Sequence, residues 1–428
     1  EGMAVDWIAR NLYWTDMGLN RIEVVRLDGS SRKVILHQNM DDPRAIALDP
    51  AEGYMYWTDW GTSGRIERAA MDGTYRKVLI GKLGRPNAIT IDYLERRLYW
   101  IDVDARKLES SDLSGNNRVQ VIGEDIYEPY GLTQYTDYIY WTDWNNKSIQ
   151  RANKTNGGNR TTIQIMPDNV LDIQVYHTSR QSGWNPCALN NGGCAHLCLA
   201  VPASIQSKIY TNHCGCPTHY SLNSDNKTCS YPKTFMLFSQ RSSINRFLIE
   251  TLDSPEINFP IPNLKNIKGL DYDPVERFVY WIDGRTKTVK KSHVNGTKAS
   301  IVVANPTDNI HPFAIAVNSY SRTLFWSCSQ HNTINVTTLS GTPIGTVIGD
   351  EDDKPRYLAV HPTKGFLFWV NMIHPPLIER SNMDGQMRKI LFSTELDSPV
   401  SLTVDVLDNF ISWGDAGLKT IERATIFG

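Results

Sequence analysis

The sequence predicts an all-β chain of repeated four-stranded sheets, set as two arrays on either side of a disulfide-rich module. Three observations predict it: a tetrapeptide that returns at a nearly constant interval, a strand-and-turn pattern that fills each interval, and six cysteines crowded into one short span. The tetrapeptide reads Tyr13-Trp14-Thr15-Asp16, Tyr56-Trp57-Thr58-Asp59, Tyr99-Trp100-Ile101-Asp102 and Tyr140-Trp141-Thr142-Asp143, with tryptophans 43, 43 and 41 residues apart. It resumes as Tyr280-Trp281-Ile282-Asp283, Phe325-Trp326-Ser327-Cys328, Phe368-Trp369-Val370-Asn371 and Ser412-Trp413-Gly414-Asp415, at intervals of 45, 43 and 44. A repeat of this length is a signature of β-propeller blades.

One interval shows why. Ala45-Ile46-Ala47-Leu48 alternates toward a break at Asp49-Pro50, Tyr54 to Thr58 is aromatic and β-rich, Arg65 to Met71 alternates, and Asp72-Gly73 precedes Arg76-Lys77-Val78-Leu79-Ile80. That is four short strands, with Asp72-Gly73 expected to form a two-residue type I′ turn because both residues accept positive φ. Equivalent turns are expected at Asp28-Gly29, Ser114-Gly115, Asn295-Gly296, Ser340-Gly341 and Asp384-Gly385. A sheet this small cannot bury both faces alone, so neighbouring sheets must stack, and Tyr and Trp suit the space between them.

Residues 1–180 hold four such repeats and then a solitary strand, Asp172-Ile173-Gln174-Val175-Tyr176-His177. Residues 181–230 are the cysteine module, and residues 231–428 open with three strands that lack a first: Phe235 to Ser239, Ile244 to Glu250 and Ile257 to Ile261. Both orphans fit rings closed by a composite blade of three N-terminal strands and one C-terminal strand. Complete rings have roughly 4–8 blades, and the orphans imply that both rings here are incomplete.

The 41% hydrophobic content allows a substantial core, and the formal charge of −2 argues against a nucleic-acid partner. No apolar run approaches the roughly 18 residues that span a bilayer, and no secretory leader opens the chain. Six of seven cysteines lie between 187 and 229, which points to an oxidised extracellular module rather than a zinc site, since paired C-x2-C knuckles are missing. Six cysteines permit 15 pairings. Sequons at Asn146, Asn153, Asn159, Asn226, Asn295 and Asn335 agree with passage through the secretory pathway. The chain therefore reads as part of a larger secreted or membrane-anchored protein.

The repeated Tyr-Trp-Thr-Asp, followed by Asn190-Asn191-Gly192-Gly193-Cys194-Ala195-His196-Leu197-Cys198, resembles the YWTD propeller and EGF-like unit of the low-density-lipoprotein receptor family. Asp49-Pro50-Ala51-Glu52-Gly53, Arg151-Ala152-Asn153-Lys154-Thr155 and Ser179-Arg180-Gln181-Ser182-Gly183-Trp184 most resemble its Wnt co-receptor branch, called Arrow in flies. Within that branch the chain is similar to the third propeller, the EGF-like module after it and part of the fourth propeller, each propeller being six-bladed. It departs in the loop from Leu199 to His213 and in the motifs at 325–328 and 368–371. The resemblance implies disulfides Cys187–Cys198, Cys194–Cys214 and Cys216–Cys229, an EGF-like module that acts as a rigid spacer, and the extracellular part of a single-pass cell-surface receptor. Its implied partners are Wnt ligands, Dickkopf-type antagonists and, through a shared Wnt, a Frizzled-type receptor. The membrane would be reached only through a segment outside this chain.

No catalytic residue, metal or cofactor is expected. The motif acids Asp16, Asp59, Asp102 and Asp143 recur identically in each blade, whereas catalytic acids and bases need differently tuned surroundings, so they read as structural. Cys328 reads as a small buried hydrophobe. Trp60 and Trp144 follow the motif Asp in two blades, where Met17 and Val103 stand in the others, and lie at one rim of the ring. Exposed aromatics beside acidic loop residues have the anatomy of a protein-binding hot spot, and loop packing is the alternative. Carried over from the resemblance, the ligand-binding set is Glu1, Asp42, Trp60, Arg85, Val103, Asp104, Tyr130, Trp144, Asn169 and Leu171, with Asn169 replacing an aromatic and Asp42 a serine. The rival readings are a lipoprotein or matrix-protein receptor of the same superfamily and a propeller hydrolase.

Overall fold

The structure, a computed structural model, describes residues 1–203 and 211–428, so part of the divergent loop from Leu199 to His213 lies outside the described residues. The chain divides into two compact units, Glu1–Lys233 and Thr234–Gly428. All sheets among the described residues are antiparallel meanders, and these residues contain no helix able to cross a membrane.

Among its described residues the first unit holds four four-stranded sheets. The second of them runs Pro43–Asp49, Tyr54–Asp59, Gly64–Ala70 and Lys77–Leu83 from its inner to its outer strand. The inner strands Met3–Asp6, Pro43–Asp49, Pro86–Asp92 and Pro129–Tyr135 contact one another in succession, so the sheets stack as blades around a shared channel. The second unit has a three-stranded sheet, three four-stranded sheets beginning at Ile267, Pro312 and Pro355, and a final three-stranded sheet from Pro399–Asp405 to Thr420–Thr425.

The period of two along a strand explains why each motif carries two aromatics. Tyr and Trp point to opposite faces, so each sheet sends its Tyr toward one neighbour and its Trp toward the other. Tyr13 packs in one core cluster with Trp57, Tyr56 with Trp100, and Tyr99 with Trp141. The second unit repeats this with Tyr280 and Trp326, Phe325 and Trp369, and Phe368 and Trp413. The two Phe substitutions keep the packing and give up only a hydroxyl such as that of Tyr13, which donates to the Met71 carbonyl at 2.9 Å. Trp57, Trp100, Trp141 and Trp369 are fully buried, and truncating one costs roughly 3–5 kcal/mol.

The Asp-Gly turns differ from the two-residue type I′ expectation. In the second blade the Gly73 amide donates to the Ala70 carbonyl at 2.9 Å and the Ala70 amide to Thr74 at 2.8 Å, which closes a three-residue loop over Met71, Asp72 and Gly73. Only the glycine has positive φ (+92°), and the Asp72 carboxylate accepts from the Thr74 amide at 2.9 Å. This is a type I turn with a left-handed glycine, which still matches the strand twist. The same pattern of bonds recurs at Gly29, Gly115, Gly296, Gly341 and Gly385. At Gly115 (φ +86°) a Cβ would also lie 2.8 Å from the Leu79 carbonyl of the preceding blade, so both conformation and contact require glycine.

Motif polar groups tie blades together. The Thr142 hydroxyl accepts from the Gly131 amide at 2.8 Å and donates to the Leu171 carbonyl at 2.5 Å. Ser327 makes the same pair of bonds, to its own inner strand at Ala314 and to the next blade at Arg356. Leu171 therefore stands where a following inner strand would stand. The segment after it, expected as a strand over 172–177, is not a ladder strand: it meets the neighbouring inner strand through a 3.4 Å bond from the Val175 amide to the Thr133 hydroxyl and a ring contact of His177 with Tyr135 at 5.2 Å. Extended backbone becomes a strand only with a neighbour beside it, and none among the described residues pairs with this one.

Cys187 is bonded to Cys198, Cys194 to Cys214 and Cys216 to Cys229. The module they staple is docked on the first two blades rather than held apart from them. Leu197, Leu199 and Ala200 enter the core cluster of Tyr13 and Trp57. Asn11 donates to the Cys198 carbonyl at 3.0 Å, Asn185 to Pro50 at 2.8 Å, and the Val34 amide to Thr218 Oγ1 at 2.7 Å.

Candidate ligand-binding rim

The rim is built by the motif Asp. Asp59 accepts the Asp41 amide at 3.1 Å, and Asp102 accepts the amides of Gly84 and Arg85 at 2.8 and 3.1 Å, so each carboxylate grips the linker that leads into its own blade. The residue after the Asp then reaches the same linker. Trp60 N–H donates to the Asp42 carbonyl at 3.0 Å, Val103 to Arg85 at 3.0 Å and Trp144 to Glu128 at 2.8 Å. Of the residues carried over from the resemblance, Asp42 is thereby brought to Trp60 and Arg85 to Val103.

Trp60 is half-buried, its indole N–H donating to the Pro86 carbonyl at 2.9 Å. Two guanidiniums lie over the ring, Arg44 at 3.8 Å and Arg85 at 5.5 Å from the centroid. Arg85 donates to Asp104 at 2.7 Å, and both are about half exposed (51% and 48%), so the pair orders the surface while contributing at most about 1 kcal/mol. Arg44 is only 13% exposed and reaches Glu1 at 3.6 Å. It also donates to Asn87 Oδ1 at 3.4 Å. A belt thus runs Glu1, Arg44, Trp60, Arg85, Asp104 across three blades. Tyr130 and Trp144 form a second aromatic pair, with centroids 6.2 Å apart.

Sequence reasoning missed Arg44. The inner strands Pro43–Asp49, Pro86–Asp92 and Pro129–Tyr135 shift register just after their first proline, as between Pro43 and Ile46 and between Pro129 and Leu132, and the bulge turns the following residue toward the channel mouth. Arg44, Asn87 and Tyr130 share that place, and with Glu1 they line a cavity of about 110 Å³. The signal available in the sequence was the proline before each of them. Leu171 is half exposed, and Asn169 is exposed with no recorded bond to the belt. Among the described residues no cluster of three or more metal-binding side chains occurs. Asn146, Asn159, Asn226 and Asn295 are exposed, while Asn153 and Asn335 are half-buried.

The model for low-density lipoprotein receptor repeat class B matches residues 10–50, 53–93, 96–133, 137–165 and 365–406. The coagulation factor Xa inhibitory site model matches 187–229, the span of the three disulfides. Low-density lipoprotein receptor-related protein 5 of Homo sapiens is 48% identical over 333 residues, covering 76% of this chain and 20% of the relative. The chain belongs to the low-density lipoprotein receptor-related proteins. The Mus musculus protein of the same name is 47% identical over 332 residues, with the same coverage. The chain spans about a fifth of the length of these relatives. Among solved structures, a nidogen/laminin complex matches at 30% identity with a TM-score of 0.42 over 45% of this chain and 73% of that one. The designed protein Ika8 matches at 10% identity with a TM-score of 0.31, over 90% and 96%. As a low-density lipoprotein receptor-related protein, the chain is part of a receptor family, not an enzyme family.

Proposed function

We propose that the chain is the extracellular ligand-binding region of a Wnt co-receptor acting in Wnt/β-catenin signalling, and that it binds Wnt ligands and Dickkopf-type antagonists through the rim of its first unit. In this reading residues 1–180 are the last four blades and closing segment of one six-bladed propeller, 181–230 an EGF-like module, and 231–428 the first part of a second propeller. The receptor crosses the membrane once, outside this chain, and meets a Frizzled-type receptor through a shared Wnt.

The observation that supports it most is the belt of Glu1, Arg44, Trp60, Arg85 and Asp104: a half-buried indole held edge-on by Pro86, with cations and carboxylates around it. A central aromatic with a charged surround is the composition of an interface hot spot. A basic, cystine-rich ligand suits the carboxylates, and an acidic loop suits the guanidiniums. Titration of the receptor's extracellular region with a purified Wnt and with a Dickkopf-type antagonist tests the reading. Saturable binding of either, lost on substitution within the belt, supports it. Binding of lipoprotein or laminin-type ligands alone contradicts it.

A further inference from the structure

In five blades the cleft outside the motif Trp is filled by an arginine of the same blade. The guanidinium carbons of Arg32, Arg76, Arg118, Arg160 and Arg388 lie 5.2, 5.5, 5.6, 5.1 and 5.4 Å from the ring centroids of Trp14, Trp57, Trp100, Trp141 and Trp369. Each is held by the residue paired across from that Trp: Glu23, Glu67, Glu109, Gln150 or Glu379. Several also reach the linker from the preceding blade, as Arg160 does in donating to the Glu124 carbonyl at 3.1 Å. The arginine always stands three residues after the hairpin glycine.

The blade of Trp326 lacks this plug. Three residues after Gly341 stands Ile344, which is 58% exposed, and the residue paired across from Trp326 is Asn335. The seat is an open groove of about 560 Å³ between the blades of Trp281 and Trp326, lined by Val302, Val303, Ile310, Trp326, Asn335 and Thr337. Two buried donors there, Trp326 Nε1 and Thr337 Oγ1, have no partner; the indole N–H is likewise unpartnered in the plugged blades of Trp57, Trp100, Trp141 and Trp369, so it is Thr337 Oγ1 that sets this groove apart. Asn335 is half-buried. It accepts from the Thr346 hydroxyl at 2.8 Å and spends one amide hydrogen on Thr333 at 2.9 Å, which leaves the other free. Asn335-Val336-Thr337 is an N-glycosylation sequon on one strand, with Asn335 and Thr337 on the same face.

We propose that Asn335 carries an N-linked glycan and that its first N-acetylglucosamine residues lie in this groove against Trp326, in the seat an arginine fills elsewhere. Attachment forms a bond from Asn335 Nδ2 to C1 of an oligosaccharide carried on a lipid diphosphate, breaks the C1–phosphate oxygen bond and releases the lipid diphosphate and one amide proton. It takes place on the nascent chain, before the sheet closes, so half-burial in the folded state is no bar. The apolar face of a pyranose matches the groove's indole and valine wall, as ring faces do in aromatic packing. Its hydroxyl and acetamide groups supply an acceptor for the unpartnered Thr337 hydroxyl, whose burial otherwise costs stability. The inference is independent of which ligand the first unit binds.

The test uses protein secreted from a eukaryotic host. Peptide mass spectrometry after glycosidase treatment in ¹⁸O water should show labelled conversion at Asn335. The sugar should be released more slowly from native than from denatured protein. Asn335→Gln should lower the melting temperature by about 2–6 °C. The pair Asn335→Glu with Ile344→Arg, which rebuilds the plug without the sequon, should restore it. An unmodified Asn335 overturns the proposal. So does a glycan released equally fast from native and denatured protein, or one whose loss leaves the melting temperature unchanged.

Discussion

The guanidinium of Arg44 lies 3.8 Å from the centroid of the Trp60 indole, with its other contacts directed to Glu1, Asn87 and Met17. The cation is thus fixed on one face of the ring while Pro86 fixes the ring's edge. An indole held on an edge and a face enters an interface with little rotamer entropy left to lose, which is where preorganised anchors gain affinity.

Arg44→Ala should therefore weaken ligand binding by about 1–2 kcal/mol, roughly 5- to 30-fold, although Arg44 itself is mostly covered. Arg44→Lys should recover part of the loss, because a lysine keeps the charge but not the flat stacking. Calorimetric titration of both variants checks this. Equal affinity for Arg44→Ala and wild type would mean that Trp60 needs no such support.

Asp6 should give the first unit a distinct pH dependence. It is fully buried, and burial pushes its carboxyl from 3.8 up to about 6 against the lowering effect of hydrogen bonds from the Ala9 and Ile8 amides. Because the folded value is the higher one, its stabilising contribution is complete below about 3.8 and is lost as pH rises through about 6. Asp6→Asn keeps the acceptor oxygen for both amides and removes the buried charge. The variant should gain on wild type by roughly 1–3 kcal/mol between pH 5 and 7.5, measured by denaturant unfolding at both values. Parallel stability curves for the two proteins would contradict it.

Reduction should loosen the first two blades as well as the module. The loss of each bridge removes roughly 2–5 kcal/mol of constraint, and Leu197 and Leu199 share a core with Tyr13 and Trp57. After thiol treatment, hydrogen exchange should accelerate in Asn11–Asp16 and Tyr54–Asp59 and stay slow in Tyr138–Asp143, whose Trp141 packs in another cluster. Unchanged exchange in the first two would show that docking does not depend on the cystines.

The repeats were legible in the sequence because Trp14, Trp57 and Trp100 keep a fixed spacing and because Tyr and Trp on alternate positions must serve two different interfaces. The turn at Asp72-Gly73 was placed correctly but given the wrong geometry, since those two residues alone do not say whether Met71 belongs to the loop. Arg44 stayed hidden because a bulge, not a strand period, aims it. The Glu–Arg pairs nine residues apart, Glu67 with Arg76 and Glu109 with Arg118, were visible as a pattern but acquire meaning only once the hairpin folds the Arg back over the Trp.

The most direct test of the account compares Trp60→Ala and Trp144→Ala with Asp42→Ala in one binding titration against a Wnt or Dickkopf-type ligand, with circular dichroism and thermal stability confirming that each variant is folded. Central aromatics in a desolvated hot spot cost roughly 2–4 kcal/mol on truncation, about 30- to 1000-fold in affinity. A rim acid costs less than about 1 kcal/mol and mainly slows association at low salt. The account predicts a large loss in both Trp variants and a small one in Asp42→Ala. Wild-type affinity in both Trp variants would contradict it and leave these indoles as loop packing.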